Sequence, residues 1–387
     1  MIYLDYMSST PLDPRVHVVM QACLQNDFGN PASQHTFGKT AREKIDLARH
    51  HVASAIHCDS KEIVWTSGAT ESINLALKGV ALFYERQGKH IITMSTEHKA
   101  TLETCRYLTS LGFEITYLNS QKNGILDLNH LHDAIRPDTI LCSIMHVNNE
   151  TGVIQDIFSI GKLLREKGVW FHVDAAQSIG KIDIDLKNTP VDLMSLSSHK
   201  VYGPKGIGAL YVRRNPRVQL IPQMHGGDTD NVFRAGTLPT HQIVGMGEAY
   251  NILNRNLDGQ DKTNRSSGGS LSVKKLRDQL WKNLSIIPSI ILNGDTTQRV
   301  DHCLNISIPN IHTELFLKNI SDIAISTGSA CNSVDPEPSH VLTAMGLSRE
   351  LANRSFRLSL GRFTTEKEIE VASERLVDEI GRAVRGM

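Results

Sequence analysis

Residues 62–95 have the sequence EIVWTSGATESINLALKGVALFYERQGKHIITMS, in which two short apolar runs flank a longer segment with helical spacing. The runs EIVWTS and HIITMS are rich in β-branched residues and are bounded by turn-forming residues, which is typical of buried strands. Between them, apolar residues recur every three to four positions, which predicts a helix. The stretch therefore predicts a strand–helix–strand unit with parallel strands.

The same alternation continues along the chain. Five further runs predict strands, and SIGKLLREKG predicts a helix between two of them; the runs are EITYL, TILCSIMHV, VWFHVDA, DLMSLSS and GIGALYV. Repeated strand–helix units predict an α/β fold with a mostly parallel, doubly wound sheet. Ligands bind such sheets beyond the carboxyl ends of the strands. The residues that follow each strand are therefore the first candidates for a functional site.

A polar stretch, NRNLDGQDKTNRSSGGSLSVKK, interrupts the alternation at residues 254–275. Its composition is typical of a solvated loop. Beyond it, HCLNISI, IAIST and FRLSL predict strands, and EKEIEVASERLVDEIGRAV predicts an amphipathic helix. We therefore expect a large domain at residues 13–257 and a smaller α+β domain formed by residues 1–12 and 258–387.

The composition excludes several classes of protein. The 387 residues contain 41 Lys and Arg against 41 Asp and Glu, so no basic excess indicates direct nucleic-acid binding. The amino terminus has no secretion signal, and no apolar run reaches the roughly 20 residues of a membrane span. Six cysteines without a C-x-x-C pair, and histidines without ligand spacing, argue against disulfides and a metal site. We expect a cytoplasmic protein with reduced cysteines and no membrane contact.

Four strand ends carry residues that suit a functional site. The turn SGATE at 67–71 opens a helix, where backbone N–H groups suit a phosphate. His98 follows the next strand, Asp174 ends a buried strand, and Lys200 precedes a glycine-rich turn. Taken singly, each has an ordinary structural explanation: a helix cap, a surface histidine, a paired carboxylate or metal ligand, and a surface lysine.

Taken together, these residues lie at one edge of one sheet and match the needs of pyridoxal 5'-phosphate (PLP). The cofactor requires N–H donors for its phosphate, an anion for its ring nitrogen and an amine for its aldehyde. A lysine held in a dry, cation-rich pocket has a lowered pKa and can form a Schiff base. The combination therefore predicts a PLP site.

A second set of residues suggests a thiol reaction and the capture of a carboxylate. Cys331 lies in a small, polar stretch, STGSACNS at 326–333, and is a candidate nucleophile if its thiol is deprotonated. The other five cysteines are expected to be small core residues. Arg357 ends an apolar run, and a guanidinium can bind a carboxylate through two hydrogen bonds. On its own, Arg357 is equally typical of a protein surface.

Long motifs along almost the whole chain resemble the cysteine desulfurases of the IscS/NifS type, in the class V aminotransferase family of PLP enzymes. The motifs are YLDY, FGNPAS, TSGATES, TEHKA, MHVNNETG, HVDAAQS, SHKVYGPKGIGALYVRR, RAGTLP, HQIVGMGEAY, GSAC and FRLSLGRFTTEKEI. The resemblance implies the PLP-dependent transferase fold of the aspartate aminotransferase type and a homodimer with shared active sites.

The resemblance also implies roles for individual residues. Lys200 is expected to form the Schiff base with PLP, Asp174 to pair with the ring nitrogen, and Gln177 to bind the ring hydroxyl. Ala69, Thr70, Ser197 and His199 are expected to bind the phosphate, and Thr237 to bind the phosphate in the partner subunit. His98 is expected to stack on the ring and to transfer protons, and Asn149 to lie beside the ring and the substrate. Arg357 is expected to bind the substrate carboxylate. Cys331 is expected to take sulfur from L-cysteine as a persulfide, leaving L-alanine, and to pass it to an acceptor protein.

The sequence departs from the family pattern in three places, and the last of them bears on the sulfur acceptor. Asp228 replaces the third glycine of a GGG segment, the SSGGS stretch replaces a more helical segment, and the chain stops at Met387, before the usual carboxyl-terminal extension. Iron–sulfur cluster assembly and tRNA or DNA thiolation therefore both remain possible destinations of the sulfur. The competing hypotheses are a selenocysteine lyase or other PLP enzyme of the superfamily, and a non-catalytic sulfur carrier.

Overall fold

A computed structural model describes residues 1–227, 232–257, 270–327 and 337–385. Cys331, Asp228 and residues 266–269 of the SSGGS stretch lie outside these residues.

A seven-stranded sheet forms the centre of the fold. Its strands are β2 (Ile63–Thr66), β3 (His90–Met94), β4 (Glu114–Leu118), β5 (Thr139–Met145), β6 (Trp170–Asp174), β7 (Leu193–Ser197) and β8 (Gly208–Val212). They lie in the order β2-β8-β7-β6-β5-β3-β4, and only β8 runs antiparallel to its neighbours. All seven strands predicted from the apolar runs are confirmed, and the sheet is mostly parallel.

Helices cover both faces of this sheet. Consecutive residues of a strand point to opposite faces, and Ile91 and Ile92 accordingly belong to two different apolar clusters. The helices of the first part of the chain are α1 (Pro14–Asn26), α2 (Thr36–Ser54), α3 (Ala69–Tyr84), α4 (Lys99–Ser110), α5 (Leu128–Ala134), α6 (Ile157–Glu166) and α7 (Thr240–Leu257). Two-sided coverage explains why most of the strands are buried along their length, whereas the edge strand β4 is buried only at Leu118.

The carboxyl-terminal part forms a smaller antiparallel sheet with its own apolar cluster. Its strands are β9 (Ile291–Leu292), β10 (Cys303–Ser307), β12 (Ser326–Thr327) and β13 (Ser355–Ser359), in the order β12-β13-β10-β9, while β1 (Ile2–Tyr3) pairs with β11 (Ile323–Ala324). Its helices are α8 (Ser270–Leu284), α9 (Thr313–Asn319), α10 (His340–Ala344), α11 (Arg349–Asn353) and α12 (Glu366–Arg385). Leu4 belongs to this cluster, which shows that the amino terminus packs against the carboxyl-terminal part. The domain boundaries themselves stay a prediction.

The polar stretch at 254–275 is only partly the loop that its composition predicts. Helix α7 continues to Leu257, and α8 begins at Ser270, so both ends of the stretch are helical. The loop prediction is wrong at these ends because polar residues also occupy the exposed faces of helices. No helix in the described ranges is long and apolar enough to cross a membrane.

Candidate active site

A cavity of about 600 Å³ lies beyond the carboxyl ends of β5, β6 and β7. Parallel strands bring their ends to one edge, and the residues that follow them therefore meet there. Ten of the predicted site residues line this cavity: Ala69, Thr70, His98, Asn149, Asp174, Gln177, Ser197, His199, Lys200 and Arg357. The structure thus brings together side chains that are up to 288 positions apart, from Ala69 to Arg357.

Lys200 extends its amine toward the amino-terminal segment. Its Nζ donates hydrogen bonds to the backbone oxygens of Met7 (2.6 Å) and Ser8 (2.8 Å). Burial, together with the positive charge of Arg357, lowers the pKa of Lys200 to about 8. Roughly a tenth of an amine with this pKa is unprotonated at pH 7, far more than of an exposed lysine, which suits reaction with an aldehyde.

Asp174 is a buried carboxylate at the end of β6. One of its oxygens, Oδ1, accepts a hydrogen bond from the backbone N–H of Ala176 at 2.9 Å. Burial raises the pKa of Asp174, whereas the charges of His98 and Lys200 lower it. Asp174 is only 4% exposed, so its negative charge is costly until a cation faces it from the cavity.

His98 is the N-cap residue of α4. Its Nδ1 accepts a hydrogen bond from the backbone N–H of Ala100 at 3.1 Å. Burial lowers the pKa of His98, and an accepting Nδ1 leaves the proton of the neutral ring on Nε2. The cap therefore sets both the orientation and the tautomer of this imidazole.

The amino terminus of α3 lines one end of the cavity and suits an anion. Its N-cap residue, Gly68, has no side chain to satisfy the N–H groups of the first turn. Free N–H groups and the helix dipole together favour a bound anion. Glu71, in the same turn, pairs with Arg234 (Nε to Oε1, 3.0 Å), so its negative charge is offset. Lys205 also lines the cavity.

Two buried side-chain oxygens at the cavity have no hydrogen-bond partner among the described residues. They are Oε1 of Gln177, whose Nε2 donates to the backbone oxygen of Met7 at 2.8 Å, and Oδ1 of Asn149. Such unpaired atoms are costly unless a ligand completes them. The amine, the buried carboxylate, the open helix terminus and these unpaired acceptors fit PLP.

Arg357 lies at the side of the cavity, on β13. Its guanidinium donates to Oδ1 of Asp5 (2.8 Å), to Oγ of Ser8 (2.6 Å) and to the backbone oxygen of Asn149. Its Nε is buried and has no partner within the described ranges. Asp5 and Ser8 thus hold the guanidinium in place, and its Nε–H donor is left unpaired among the described residues.

Sequence reasoning missed the contribution of the amino terminus. Asp5, Met7 and Ser8 contact the site residues directly, but they follow no strand of the large sheet. The motif YLDY contains Asp5 and was the one available signal.

Thr237 lies on the surface and does not line the cavity of its own chain. Cys331 lies outside the described residues.

The chain matches known proteins over nearly its full length. The family model "Aminotransferase class-V" matches residues 2–371. The protein "Cysteine desulfurase IscS" of Pectobacterium atrosepticum is 54% identical over 384 residues, which cover 98% of this chain and 93% of the relative. The protein of the same name from Methylococcus capsulatus is 53% identical over 382 residues, with the same coverage.

Solved structures agree with these matches. A "NIFS-like protein" has a TM-score of 0.89 and 34% identity, covering 98% of this chain and 99% of its own. "SspA in complex with cysteine" has a TM-score of 0.82 and 38% identity, covering 94% and 100%. DndA from Streptomyces lividans has a TM-score of 0.78 and 38% identity, covering 90% and 97%. The predicted fold, that of a PLP-dependent transferase, is confirmed, and the chain belongs to the class-V aminotransferase family.

Proposed function

We propose that this protein is a PLP-dependent cysteine desulfurase, which converts L-cysteine to L-alanine and carries the sulfur as a persulfide on Cys331. One observation carries the proposal: Lys200, Asp174, His98 and the amino terminus of α3 meet in one cavity. The relatives named cysteine desulfurase IscS, more than half identical over almost the whole chain, supply the reaction.

The cofactor would be held at four points. Lys200 would hold its aldehyde carbon, Asp174 its ring nitrogen, Gln177 its ring hydroxyl, and the first turn of α3 its phosphate, with Ser197 and His199 beside that turn. When bound, PLP withdraws electrons from the substrate Cα and so makes loss of the Cα proton possible. The buried charge of Asp174 would keep the ring nitrogen protonated.

The protein's own residues would then bind the substrate and move its protons. Arg357 would hold the substrate carboxylate through its unused donors. Lys200, with its lowered pKa, suits removal of the Cα proton near neutral pH. His98 presents a neutral ring with a proton on Nε2 and suits proton donation or acceptance over the cofactor. Asn149 would contact both the ring and the substrate.

The sulfur would pass to Cys331 by direct attack. The Cys331 thiolate would form a bond to the substrate sulfur, and the electron pair of the broken carbon–sulfur bond would stay on the substrate carbon. That carbon is then protonated, which yields alanine, and the persulfide stays on Cys331. No redox partner is needed, because the electron pair stays on the carbon.

We further propose that two copies of the chain form a homodimer with shared active sites. Two rings on the surface, Phe28 and Phe37, lie 5.2 Å apart and are 73% and 56% exposed. Such an apolar surface suggests a covered face. Thr237, exposed in the single chain, would reach the phosphate site of the partner subunit.

We also propose that the protein acts in the cytoplasm and passes its sulfur to an acceptor protein. All five cysteines in the described ranges are free thiols, which suits the reducing cytoplasm. A sulfur-acceptor protein is required, and it would serve iron–sulfur cluster assembly or a thiolation pathway. We leave both destinations in the proposal because the chain is similar to the relatives named IscS and also to the structural neighbours named SspA and DndA.

Two substitutions test the proposed reaction. Lys200→Ala should abolish alanine formation, together with the yellow colour that borohydride bleaches. Cys331→Ser should abolish desulfuration of cysteine and leave the cofactor colour intact. Cys58→Ser, at a half-buried cysteine, is the matched control and should retain activity. Persulfide formation at the normal rate in Cys331→Ser would exclude this nucleophile, and a colourless wild-type protein would favour the sulfur carrier.

A further inference from the structure

Glu97 is a buried acid beside the active site that the proposed chemistry does not use. It is 1% exposed and lies in the turn between β3 and α4, immediately before His98. Unlike His98, it does not line the cavity. Any effect of Glu97 on the reaction must therefore act through a neighbour.

The contacts of Glu97 fix the turn that carries His98. Its Oε1 accepts a hydrogen bond from the backbone N–H of Met145 at 2.6 Å. Met145 lies on β5 opposite Asp174 of β6 in the parallel ladder. The Glu97 side chain thus ties the turn to the strand next to the buried carboxylate of the site.

A second contact ties the same turn to the carboxyl-terminal part of the chain. The backbone oxygen of Glu97 lies 2.8 Å from Nε2 of His340, the first residue of α10. The N-cap bond of His98 to Ala100 then sets the ring itself. Removal of the Glu97 side chain would leave the turn held by His340 and by the bond from Nδ2 of Asn148 to the backbone oxygen of Thr96 (3.0 Å). It would also leave the Met145 N–H unsatisfied.

The surroundings of Glu97 do not support a negative charge. Its Oε2 is buried without a hydrogen-bond partner, and no cation acts on it in the described part of the chain. The ionisable groups that act on Glu97 or respond to it are Asp174 on β6, Cys105 on α4 and Cys142 on β5. Burial raises the pKa of Glu97, the hydrogen bond from Met145 offsets this only in part, and the charge of Asp174 raises the pKa further. Two close carboxylates in a dry site cannot both ionise easily.

We propose that Glu97 is a positioning residue for His98, and that it acts as a neutral carboxylic acid. In this form it keeps the bond to Met145 and leaves Asp174 as the single buried anion of the site. The inference deepens the proposed function and rests on it, because His98 matters only if the cavity carries out the reaction.

Two variants separate the shape of the side chain from its charge. Glu97→Gln keeps the acceptor for Met145 and is neutral, so kcat should stay within about twofold of wild type. Glu97→Ala removes the tether, and kcat should fall by roughly 10- to 100-fold with little change in KM, because small misplacements of a catalytic group are costly. Glu103→Gln, on the exposed side of α4, is the matched control and should change nothing.

Two spectroscopic measurements on the cofactor-loaded enzyme need no turnover. Isotope-edited infrared difference spectra of wild type against Glu97→Gln should show the carbonyl stretch of a protonated acid. The ring ¹⁵N resonances of His98 should match wild type in Glu97→Gln and shift in Glu97→Ala.

The proposal is overturned if Glu97→Gln is as impaired as Glu97→Ala, if the infrared band is that of a carboxylate, or if Glu97→Ala keeps a normal kcat. If Glu97→Ala fails to fold, Glu97→Gln and the infrared band decide. Failure of the proposed function itself would appear separately, as normal alanine formation by Lys200→Ala.

Discussion

The amine of Lys200 is bound by two backbone oxygens and has the guanidinium of Arg357 nearby. Burial and the positive charge of Arg357 lower its pKa to about 8, whereas an exposed lysine titrates at about 10.4. Only the unprotonated amine attacks an aldehyde. The lowered pKa therefore determines the pH at which the protein without cofactor takes up PLP covalently.

We predict that covalent uptake by the cofactor-free protein accelerates by about tenfold per pH unit below pH 8 and levels off above it. The sign follows from the amine, since raising the pH removes the unreactive ammonium form. Stopped-flow absorbance after mixing with PLP, between about pH 6 and pH 10, measures this profile.

Arg357→Gln should shift the same profile to higher pH, because it removes a positive charge that disfavours the ammonium form of Lys200. Lys200→Ala should show no covalent phase at any pH. A rate that kept rising to pH 10 in the wild-type protein would show that the amine behaves as an exposed lysine.

Site residues that directly follow strands could be predicted from the sequence, whereas their supporting residues could not. Asp174 and Lys200 stand out because a charge beside an apolar run requires an explanation. Asp5 and Glu97 carry no such signal, because their roles depend on contacts with Arg357 and Met145, which are distant in the chain. Burial of a carboxylate is a property of the tertiary structure.

Among the structural elements, β8 packs through a glycine against the turn that we propose to bind the phosphate. A Cβ built on Gly208 would lie 2.6 Å from Cα of Gly68, the N-cap of α3, and 2.5 Å from the backbone oxygen of Leu196. Both neighbours are backbone atoms, so a Cβ at this position could be accommodated only if the turn at Gly68 or the strand β7 moved. The close approach of β8 therefore fixes the position of the first turn of α3.

Gly208→Ala is predicted to weaken PLP binding by roughly tenfold, or about 1.4 kcal/mol. It should also lower the free energy of unfolding by ~1–3 kcal/mol, as overpacking typically does. The binding loss follows from displacement of the N–H groups that face the phosphate. Titration of the cofactor-free protein by fluorescence, and urea unfolding, measure the two effects.

Gly161→Ala on α6 is the matched control, since its Cβ would likewise lie 2.5 Å from a backbone oxygen, that of Pro190, away from the cavity. It should reduce stability without reducing PLP affinity. Equal losses of affinity in the two variants would show that general destabilisation, rather than the position of the turn, is responsible.

The elements of the large sheet were predictable because each strand is a short, largely apolar run, and all but the edge strand β4 are covered on both faces. The strand order, and the reversed direction of β8, were not, because they depend on which edges pair across the sheet. The helical ends of 254–275 were also missed. The polar residues Asn254 and Arg255 lie on α7, where composition alone does not separate helix from loop.

At the scale of the whole molecule, we expect the site to be complete only when a second subunit contributes Thr237. The described chain brings ten predicted residues to one cavity and leaves Thr237 on its surface. A dimer of the 42.9 kDa chain would therefore contain two sites, each built from both subunits.

Mixed dimers test this arrangement. Lys200→Ala should inactivate the site of its own subunit, and Thr237→Asp should inactivate the site of its partner by repelling the phosphate. A dimer with one substitution in each subunit then keeps Lys200 and Thr237 together in one site. Differently tagged chains, co-expressed and purified through both tags, should show about half of the wild-type alanine formation.

The reciprocal arrangement reverses the expected result. Here one subunit carries both substitutions and its partner is wild type. The site of the substituted subunit lacks Lys200, and the site of the wild-type subunit receives the introduced carboxylate in place of Thr237. Neither site should therefore work. If Thr237 instead serves its own subunit, the wild-type partner keeps one intact site, and activity should be about half. The pair of dimers contains the same substitutions in the same number, so a general loss of stability cannot produce this reversal. Activity confined to the reciprocal dimer would therefore refute shared sites.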